Sequence, residues 1–437
     1  MNKDMLRGQF PKVLIVSRGV WDDNGTSNTL TNIFSNYPPE QLAQIYIETK
    51  KPNTQHCKSF FQISEYSLIK KLSRWDTKTG QRVDAHYVDD KGVAEKEAST
   101  MDYVREHRRY IYTILREFLW LLNGWKSKEL KQFIIDENPD VIWLSGSPLI
   151  LMNRLGGFVA KTVGKPYCVF EMDDVYSYKH SGGNLVKYIY RFFLRKNVKK
   201  LVNGASQLFV ISPKMKKEYD AIFGTDSIVL TKGIDFSSVS HHPYAAHQPV
   251  QMVYMGKIIY DRFSSLELIG RALDEINQDV KHIILNIYTN NSIEGIRKEK
   301  LIKNGNIVFH APVPYSEVKG VIENNDVVLF VESLNDKFKD TARLSFSTKI
   351  TDYLASGKCI FAVGPDDIAP MEYFKENDAA LVAHGYDEIR TKLMELLKPG
   401  MIEAYSQKAF SCGMTNHDKA ILDDIVYGKL IEIANNK

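Results

Sequence analysis

The sequence predicts an α/β protein with two doubly wound domains, each built on a parallel sheet that has helices on both faces. A chain of 437 residues is too long for one ordinary hydrophobic core, so two domains are expected. Its composition, 44% hydrophobic and 25% charged, is that of an ordinary folded protein. Short apolar runs alternate with longer amphipathic segments along most of the chain, and this alternation is typical of parallel strands connected by helices.

Apolar runs rich in Val, Ile and Leu are expected to form buried strands, and they fall into two series. The first series is 12–16, 141–144, 167–170, 207–211 and 228–230, and the second is 251–254, 282–288, 307–309, 327–331, 359–363 and 380–382. Two such series indicate two Rossmann-like domains.

A polar stretch near 237–249, which contains histidines and prolines and has no periodicity, marks the change of domain. The predicted parts are, in order, an N-terminal domain at 1–240, a linker at 241–249, a C-terminal domain at 250–416 and a final helix at 417–437. This helix is expected to cross back to the first domain. The region 50–136, where the strand signals are weak, is interpreted as an elaboration of the N-terminal domain.

The bulk properties indicate a reducing compartment and argue against nucleic-acid binding. The net charge of +4 is small for this length, whereas nucleic-acid binders usually carry a strongly basic face. The four cysteines form no C-x-x-C pair, so free, packed thiols are expected. No stretch approaches the roughly 20 apolar residues that span a bilayer, and the N-terminus lacks the pattern of a signal peptide. A cytoplasmic protein is therefore expected.

Two segments, 105–128 and 188–200, mix aromatic residues with Lys and Arg. Helices of this kind either pack their apolar side on the sheet of the N-terminal domain or lie on an anionic membrane surface. Both alternatives stay open for both segments.

Two loops that follow predicted strands are candidate ligand sites, because open α/β sheets bind ligands at the carboxyl ends of their strands. Loop 17–28 contains Gly25, where a substrate could approach the backbone, although an ordinary strand-to-helix loop fits equally well. In the C-terminal domain, Gly256, Lys257 and Arg262 follow the first strand. Two cations there suit a diphosphate, although solvated surface cations are the simpler interpretation of the pair alone.

A third candidate is the segment 344–365, in which small polar residues precede a helix. Ser345 and Ser347 lie directly before the helix, whose first N–H groups could hold phosphate oxygens, and Lys349 adds a positive charge. Asp352 lies one to two turns further on. Without comparison, Ser347 is only an N-cap and Asp352 a solvated helix residue.

The order of these segments resembles the retaining GT-B glycosyltransferases of the large bacterial family 4, which build surface polysaccharides and glycolipids. Gly256-Lys257-Ile258 followed by Arg262 is similar to the G-R-L strand end and later K-G of that family, with the two cation types exchanged. Residues 344–357 contain LSFST and DYLASG, which are similar to its E-G-F-G and E-A-x-A-x-G pattern and to a P-(S/T)-K variant of it. Weaker similarities occur in the same order at 170–176, 212, 230–235 and 310–327.

The resemblance implies a hexosyl transfer from a nucleoside-diphosphate sugar to a hydroxyl of a glycan or polyprenyl-linked glycan. It further implies retention of configuration, no metal or other cofactor, two domains facing each other across a cleft, and a cytoplasmic protein with or without peripheral contact with the inner membrane. It gives catalytic roles to Lys257, Arg262 and Asp174, and the two cations would clamp the donor diphosphate. The implied donor-binding residues are Gly25, Gly256, Val313, Ser345, Phe346, Ser347, Thr348, Lys349 and Asp352, while Ser147 and Asp173 would lie on the acceptor side.

Two departures from the family pattern bear on these roles. The first glutamate of its E-x7-E pair falls on Leu344, and the second is Asp352, which is shorter by one methylene. Ser345 and Ser347 replace glycines, which implies a reshaped sugar pocket. Two other functions stay open: a non-hydrolysing sugar-nucleotide epimerase that uses the same diphosphate site, and a non-catalytic GT-B-fold protein that binds a partner, which Leu344 slightly favours.

Overall fold

The computed structural model describes residues 10–23, 28–84, 109–122, 124–177, 185–291, 295–302 and 304–436. The chain divides into two compact units. The first comprises Met1–Ile211, Lys216–Leu230 and Asp423–Lys437, and the second comprises Ser212–Met215 and Thr231–Leu422.

The first unit is built around a sheet that has eight strands in the described part of the chain. They are β1 Val13–Val16, β2 Leu42–Tyr46, β3 Ser59–Ile63, β4 Gly80–Val83, β5 Val141–Ser145, β6 Tyr167–Glu171, β7 Gln207–Val210 and β8 Ile228–Val229. They lie in the order β4-β3-β2-β1-β5-β6-β7-β8, and only the pairing of β4 with β3 is antiparallel among these neighbours. All residues of β1 are buried, as its continuous apolar run predicts.

Seven helices accompany this sheet in the described part of the chain, and some of them begin or end at residues with recognisable capping signals. They are α1 Thr29–Phe34, α2 Glu65–Lys71, α3 Arg109–Leu121, α4 Lys128–Glu137, α5 Ile150–Val163, α6 Leu185–Asn203 and α7 Pro213–Phe223. Helix α4 is an example: the Ser127 side chain accepts a hydrogen bond from the Leu130 N–H, and Asn138 ends the helix in the left-handed conformation.

The second unit contains a fully parallel sheet with the order β11-β10-β9-β12-β13-β14 among the described strands. The strands are β9 Val250–Met255, β10 Ile283–Tyr288, β11 Ile307–His310, β12 Val327–Val331, β13 Cys359–Val363 and β14 Leu381–Ala383. The helices are α8 Arg262–Ile276, α9 Ile296–Ile302, α10 Val318–Glu323, α11 Asp336–Ala342, α12 Thr348–Ala355, α13 Ala369–Glu376, α14 Tyr386–Leu396, α15 Met401–Asn416 and α16 Lys419–Asn435. Strands β9, β10, β12 and β13 carry most of the core of this unit.

The segment 231–240, which the sequence pattern assigns to the N-terminal domain, belongs to the second unit. Its backbone is tied to the start of α16, because the Ile234 N–H donates to the His417 carbonyl at 2.9 Å and the Ile234 carbonyl accepts from Lys419 at 2.8 Å. From Asp423 onwards α16 belongs to the first unit, where the Tyr427 hydroxyl donates to the Ile33 carbonyl at 2.7 Å.

Strands β2, β3 and β4 lie in a stretch for which the apolar pattern predicts no strand. The run of β2 is interrupted by Gln44, which is fully buried because its side chain donates to Ser17 and Gly19 and accepts from the Trp21 N–H. Strand β4 is an antiparallel edge strand with exposed polar residues, so it lacks the apolar signal of a central strand. Across the described helices, none combines the length and the apolar character needed to cross a bilayer.

Candidate active site

The strand order of the second unit reverses between β9 and β12, and open α/β sheets bind ligands at such a point, beyond the carboxyl ends of the strands. Strand β9 ends at Met255 and continues into Gly256 and Lys257, while β12 ends at Val331 and continues into Glu332. Basic and acidic side chains therefore meet at the position where a ligand is expected.

Arg262, the first residue of α8, is held by Glu332. The guanidinium Nη2 lies 2.7 and 2.8 Å from the two carboxylate oxygens, and Nε donates to one of them at 3.1 Å. Glu332 is itself fixed, because its N–H donates to the Val363 carbonyl of β13 at 2.8 Å. The pair orients the guanidinium rigidly, but it also offsets one of the two charges that the sequence predicts for a diphosphate.

Lys349, in the first turn of α12, brings a further ammonium group to this point. Its Nζ lies against Gly256, and a Cβ atom at position 256 would be only 1.9 Å from it. Burial, followed by the neighbouring charge of Arg262, lowers the pKa of Lys349 to about 8, and the charge of Lys257 acts in the same direction. Like charges gathered in a partly desolvated place stabilise a bound anion, because the anion relieves their mutual repulsion.

Asp352 lies on α12 and forms an ion pair with Lys232. The two side chains are partly exposed, and both belong to the second unit. The donor contact that the resemblance implies for Asp352 would therefore have to be shared with Lys232, or would use the second carboxylate oxygen.

The N-terminus of α12 is capped by Ser347, as its position before the helix predicts. The Ser347 hydroxyl accepts a hydrogen bond from the Lys349 N–H at 3.4 Å, and the Ser347 carbonyl accepts from the Ile350 N–H at 3.0 Å. The 3.4 Å bond is long, so a phosphate oxygen can replace the hydroxyl as the acceptor at little cost.

The first unit has a cavity of about 200 Å³ where its own strand order reverses, between β1 and β5. The loop 17–22 after β1, Ser145 and Gly146 at the end of β5, and Phe170 and Met172 beside the end of β6 line this cavity. Because its lining combines several hydroxyl groups with the charged residues Arg18 and Asp22, it suits a small polar molecule.

Glu171, the last residue of β6, lies directly behind this cavity. It is 1% exposed, and its Oε2 is so close to Gly146 that a Cβ there would lie 2.1 Å away. Burial raises the pKa of Glu171 to about 8, and the charges of Asp173 and Asp174 raise it further in the same direction. The carboxyl group is therefore predominantly protonated at neutral pH.

Comparisons with known proteins give likenesses of structure but none of sequence. No family model and no curated protein matches the chain. Among solved structures, Anabaena Alr3699/HepE in complex with UDP-glucose has a TM-score of 0.57 and 11% identity, with 97% of this chain and 100% of that chain covered. A Rickettsia africae glycosyltransferase gives 0.58 and 12%, with 97% and 99% covered, and a trehalose-6-phosphate protein from E. coli bound with UDP-2-fluoro glucose gives 0.60 and 11%, with 96% and 99% covered.

The fold is GT-B. The likeness extends over nearly the whole of both chains in each comparison, and it confirms the predicted class of two Rossmann-like domains with parallel sheets. At 11–12% identity it shows the fold alone.

Within this GT-B fold, the predicted donor residues Phe346 and Val313 have a buried and a distant side chain, respectively, and the neighbouring Leu344 is buried. Phe346 packs against Tyr373 and His417, with ring centroids 5.0 and 6.0 Å apart, so any donor contact of this residue is through its backbone. Leu344 is also in the core. Val313 lies three residues beyond β11, which is two strands away from β9 in the sheet.

Ser345 and Thr348, two further predicted donor residues, lie at the start of α12. Ser345 is in the loop before the helix, where its hydroxyl donates to the Thr341 carbonyl at 3.4 Å. Thr348 is the first helical residue and accepts a hydrogen bond from the Thr351 hydroxyl at its carbonyl.

The predicted catalytic residue Asp174 and the predicted acceptor-side residues Ser147 and Asp173 belong to the first unit. Asp174 is buried in the turn after β6, where it accepts hydrogen bonds from the Ser177 N–H at 2.8 Å and the Tyr219 hydroxyl at 3.2 Å. Ser147 is buried and accepts from the Leu149 N–H at 3.3 Å, whereas Asp173 is exposed. Gly25 lies outside the described residues.

Three functional candidates were not among those that the sequence predicts: Glu332, Lys232 and Glu171. Glu332 follows an apolar strand directly, and an acidic residue in that position was the available signal. The same signal applies to Glu171, at the end of the run YCVFE. Within the described ranges, no group of three or more His, Cys, Asp and Glu side chains is placed to hold a metal ion.

Proposed function

We propose that this protein is a glycosyltransferase that moves a hexosyl group from a nucleoside-diphosphate sugar to a hydroxyl of a glycan or lipid-linked acceptor. The observation that carries the proposal is the convergence of Lys257, Arg262 and Lys349 at the reversal point of the second sheet. The GT-B fold, which the chain has in common with HepE in its complex with UDP-glucose, supports a nucleotide sugar as the ligand of this site.

The proposed chemistry is cleavage of the bond between C1 of the donor sugar and the diphosphate oxygen. Negative charge develops on the departing diphosphate, and cations that are already oriented stabilise it without reorganisation. Arg262 is oriented by Glu332, while Lys349 and Lys257 supply the charge that the carboxylate does not offset. Because side-chain cations take this role, the proposed reaction needs no metal.

We assign acceptor binding to the first unit, where the cavity beside loop 17–22 is lined by groups that can bind a hydroxyl. Asp174 stays a proposed catalytic residue, and Ser147 and Asp173 stay proposed acceptor-side residues, as the resemblance implies. Retention of configuration, with the leaving phosphate helping to deprotonate the acceptor, and a role in bacterial capsule, O-antigen or exopolysaccharide synthesis belong to the same proposal. So does a cytoplasmic location with peripheral contact with the inner membrane.

The first experiment measures nucleotide binding. We expect one of UDP, GDP, ADP, CMP and dTDP to raise the melting temperature, with the same effect in the presence of EDTA. Lys257→Ala should weaken that binding by about tenfold, since a lysine that contacts a phosphate contributes on the order of 1–2 kcal/mol. Undiminished affinity in this variant would remove the diphosphate assignment.

The second experiment separates transfer from its two alternatives. Purified protein with the matching nucleotide sugar and a lipid-linked acceptor should release nucleoside diphosphate only when the acceptor is present. Isomerisation of the sugar without acceptor would identify the epimerase, and tight binding without release across acceptors would identify a non-catalytic protein. The buried Leu344 is the observation that keeps the last alternative open.

A further inference from the structure

The first half of helix α6 exposes its apolar side chains instead of burying them. Leu185, Val186, Tyr188, Ile189, Phe192 and Phe193 are between 47% and 74% exposed. Burial begins only in the second half, where Leu194, Val198, Leu201 and Val202 pack inwards. A helix that only covered a sheet would bury one apolar stripe along its whole length.

Helix α3 exposes a second apolar face in the same unit. Leu115, Phe118 and Leu121, together with the following Leu122, are between 51% and 62% exposed and are spaced by three, three and one residues. On a helix this spacing puts the first three on one side. The other side of α3 is occupied, because Trp120 is buried and Arg116 pairs with Glu65.

A hydrogen-bonded junction joins the two helices. Glu117 of α3 accepts from the Tyr190 hydroxyl of α6 at 3.0 Å and from the N–H groups of Ile150 and Leu151 at 2.8 and 2.9 Å. The two helices therefore meet at the start of α5, and the exposed apolar residues belong to two helices of the first unit that are in direct contact. We call these ten residues, at 115–122 and 185–193, the apolar face.

Basic residues border the apolar face at both ends. Beyond Phe193, the exposed residues of α6 include Lys196, Lys199 and Lys200. Beyond Leu122, Lys126 is exposed, and Arg154, Lys131 and Lys161 are near enough for their charges to lower its pKa, after the effect of burial. Apolar aromatic and aliphatic groups next to a basic rim match the interface of an anionic bilayer, where the former enter the headgroup boundary and the latter meet the lipid phosphates.

We propose that the apolar face and its basic rim form a docking surface for an anionic lipid bilayer. The biological role of this surface rests on the proposed function: it would hold the acceptor cavity of the same unit at the membrane surface, where a lipid-linked acceptor lies. Binding to the bilayer itself does not depend on sugar transfer. It can therefore be tested independently.

The test is flotation of the full-length protein with phosphatidylcholine vesicles that either contain or lack phosphatidylglycerol. We expect binding to the anionic vesicles only, and weaker binding as salt is raised. The double variant Phe192→Ser/Phe193→Ser should lower the partition coefficient by about tenfold or more, because two large apolar side chains no longer enter the bilayer. Lys196→Glu/Lys199→Glu should lower it by a similar factor on anionic vesicles.

A matched control is Val280→Ser/Met394→Ser in the second unit. These residues are 62% and 51% exposed, close to the 64% and 50% of Phe192 and Phe193, and the control should bind vesicles as the wild type does. Thermal melting and nucleotide binding show that each variant is folded.

Three results would overturn the docking surface. The first is that the wild type does not bind vesicles, and the second is that it binds neutral and anionic vesicles equally. The third is that the wild type sediments as a dimer that Phe192→Ser/Phe193→Ser dissociates, because a second copy of the chain would then cover the apolar face. Absence of vesicle binding in a wild type that binds nucleotide would count against the docking surface alone. Absence of nucleotide binding in a wild type that binds vesicles would count against the proposed transfer alone.

Discussion

Binding of a nucleoside diphosphate should weaken as the pH rises through 8, because Lys349 loses its proton. Burial, with a further contribution from Arg262, lowers the pKa of this side chain to about 8 in the unliganded protein. A bound diphosphate favours the protonated ammonium and raises that pKa again. The anion should therefore bind most tightly below pH 8. The part of the affinity that the protonated Lys349 supplies should be lost as the pH rises from the pKa of Lys349 in the free protein to its pKa in the complex.

The size of the effect follows from proton linkage. With a pKa of about 8, roughly one free molecule in ten keeps a protonated Lys349 at pH 9. The affinity should therefore fall about tenfold between pH 7 and pH 9, or ~1.4 kcal/mol. Stability without ligand has the opposite sign: the unfolded chain binds more protons between about 8 and 10.5, so the free energy of unfolding should rise with pH across that window.

The assay is isothermal titration calorimetry at constant ionic strength, using the diphosphate that gives the largest thermal shift. Terminal phosphates ionise near pH 6, so the ligand hardly changes its charge over the range. Lys349→Arg keeps its charge and should flatten the profile, whereas Lys349→Met should bind weakly at every pH. A wild-type affinity that changes by less than about twofold between pH 7 and 9, or a tenfold decline that persists in Lys349→Arg, would refute the reasoning.

Three further predictions use the same structure. Gly256→Ala should weaken diphosphate binding by about tenfold, because the new Cβ displaces the end of Lys349. It should also lower the melting temperature, because Gly256 has a φ of 158°, which a residue with a Cβ adopts only with strain; calorimetry and melting of one sample check both parts. Glu171→Gln should raise the free energy of unfolding by up to about 3 kcal/mol at pH 8.5 and by little at pH 5. The reason is that the pKa of Glu171 is raised, so the stabilising contribution of this carboxyl group is lost as the pH rises towards 8. Denaturant titration at the two pH values measures the difference in the free energy of unfolding. Lys232→Met should cost about 1 kcal/mol or less in stability, because its ion pair with Asp352 is partly exposed, and a larger loss in denaturant titration would assign Lys232 a structural role.

A strand can be predicted from the sequence where its apolar run is uninterrupted. It is missed where the run contains a polar residue that is buried because residues distant in sequence satisfy its hydrogen bonds. The runs 327–331 and 359–363 coincide with β12 and β13. Gln44 breaks the pattern of β2, yet it is buried because Ser17 and Gly19 accept from its amide. No local pattern of residues 42–46 indicates these partners, since they lie on the loop after another strand.

In the candidate site, too, some residues can be placed from the sequence and others cannot. Lys257 and Arg262 are predictable, because a parallel strand places the residues that follow it at the ligand-binding edge. The carboxylate that holds Arg262 lies 70 residues away in sequence, and Lys232 lies 120 residues from Asp352. Glu332 reaches Arg262 because β12 pairs with β9, so this contact depends on the strand order and not on any local motif.

The charges at the site give a physical reason for the hydrophobic residue at position 344. Four cations, Lys232, Lys257, Arg262 and Lys349, lie beside two carboxylates, Glu332 and Asp352, and both carboxylates are already paired. The excess of two positive charges is close to the charge of a diphosphate. A third carboxylate at 344 would reduce this excess to one, whereas Leu344 is buried and its carbonyl accepts a hydrogen bond from Ser212 at 2.8 Å. The leucine is thus compatible with a site in which side-chain cations bind the leaving group, and Leu344→Glu should weaken diphosphate binding and stability together, because it adds a negative charge and buries it.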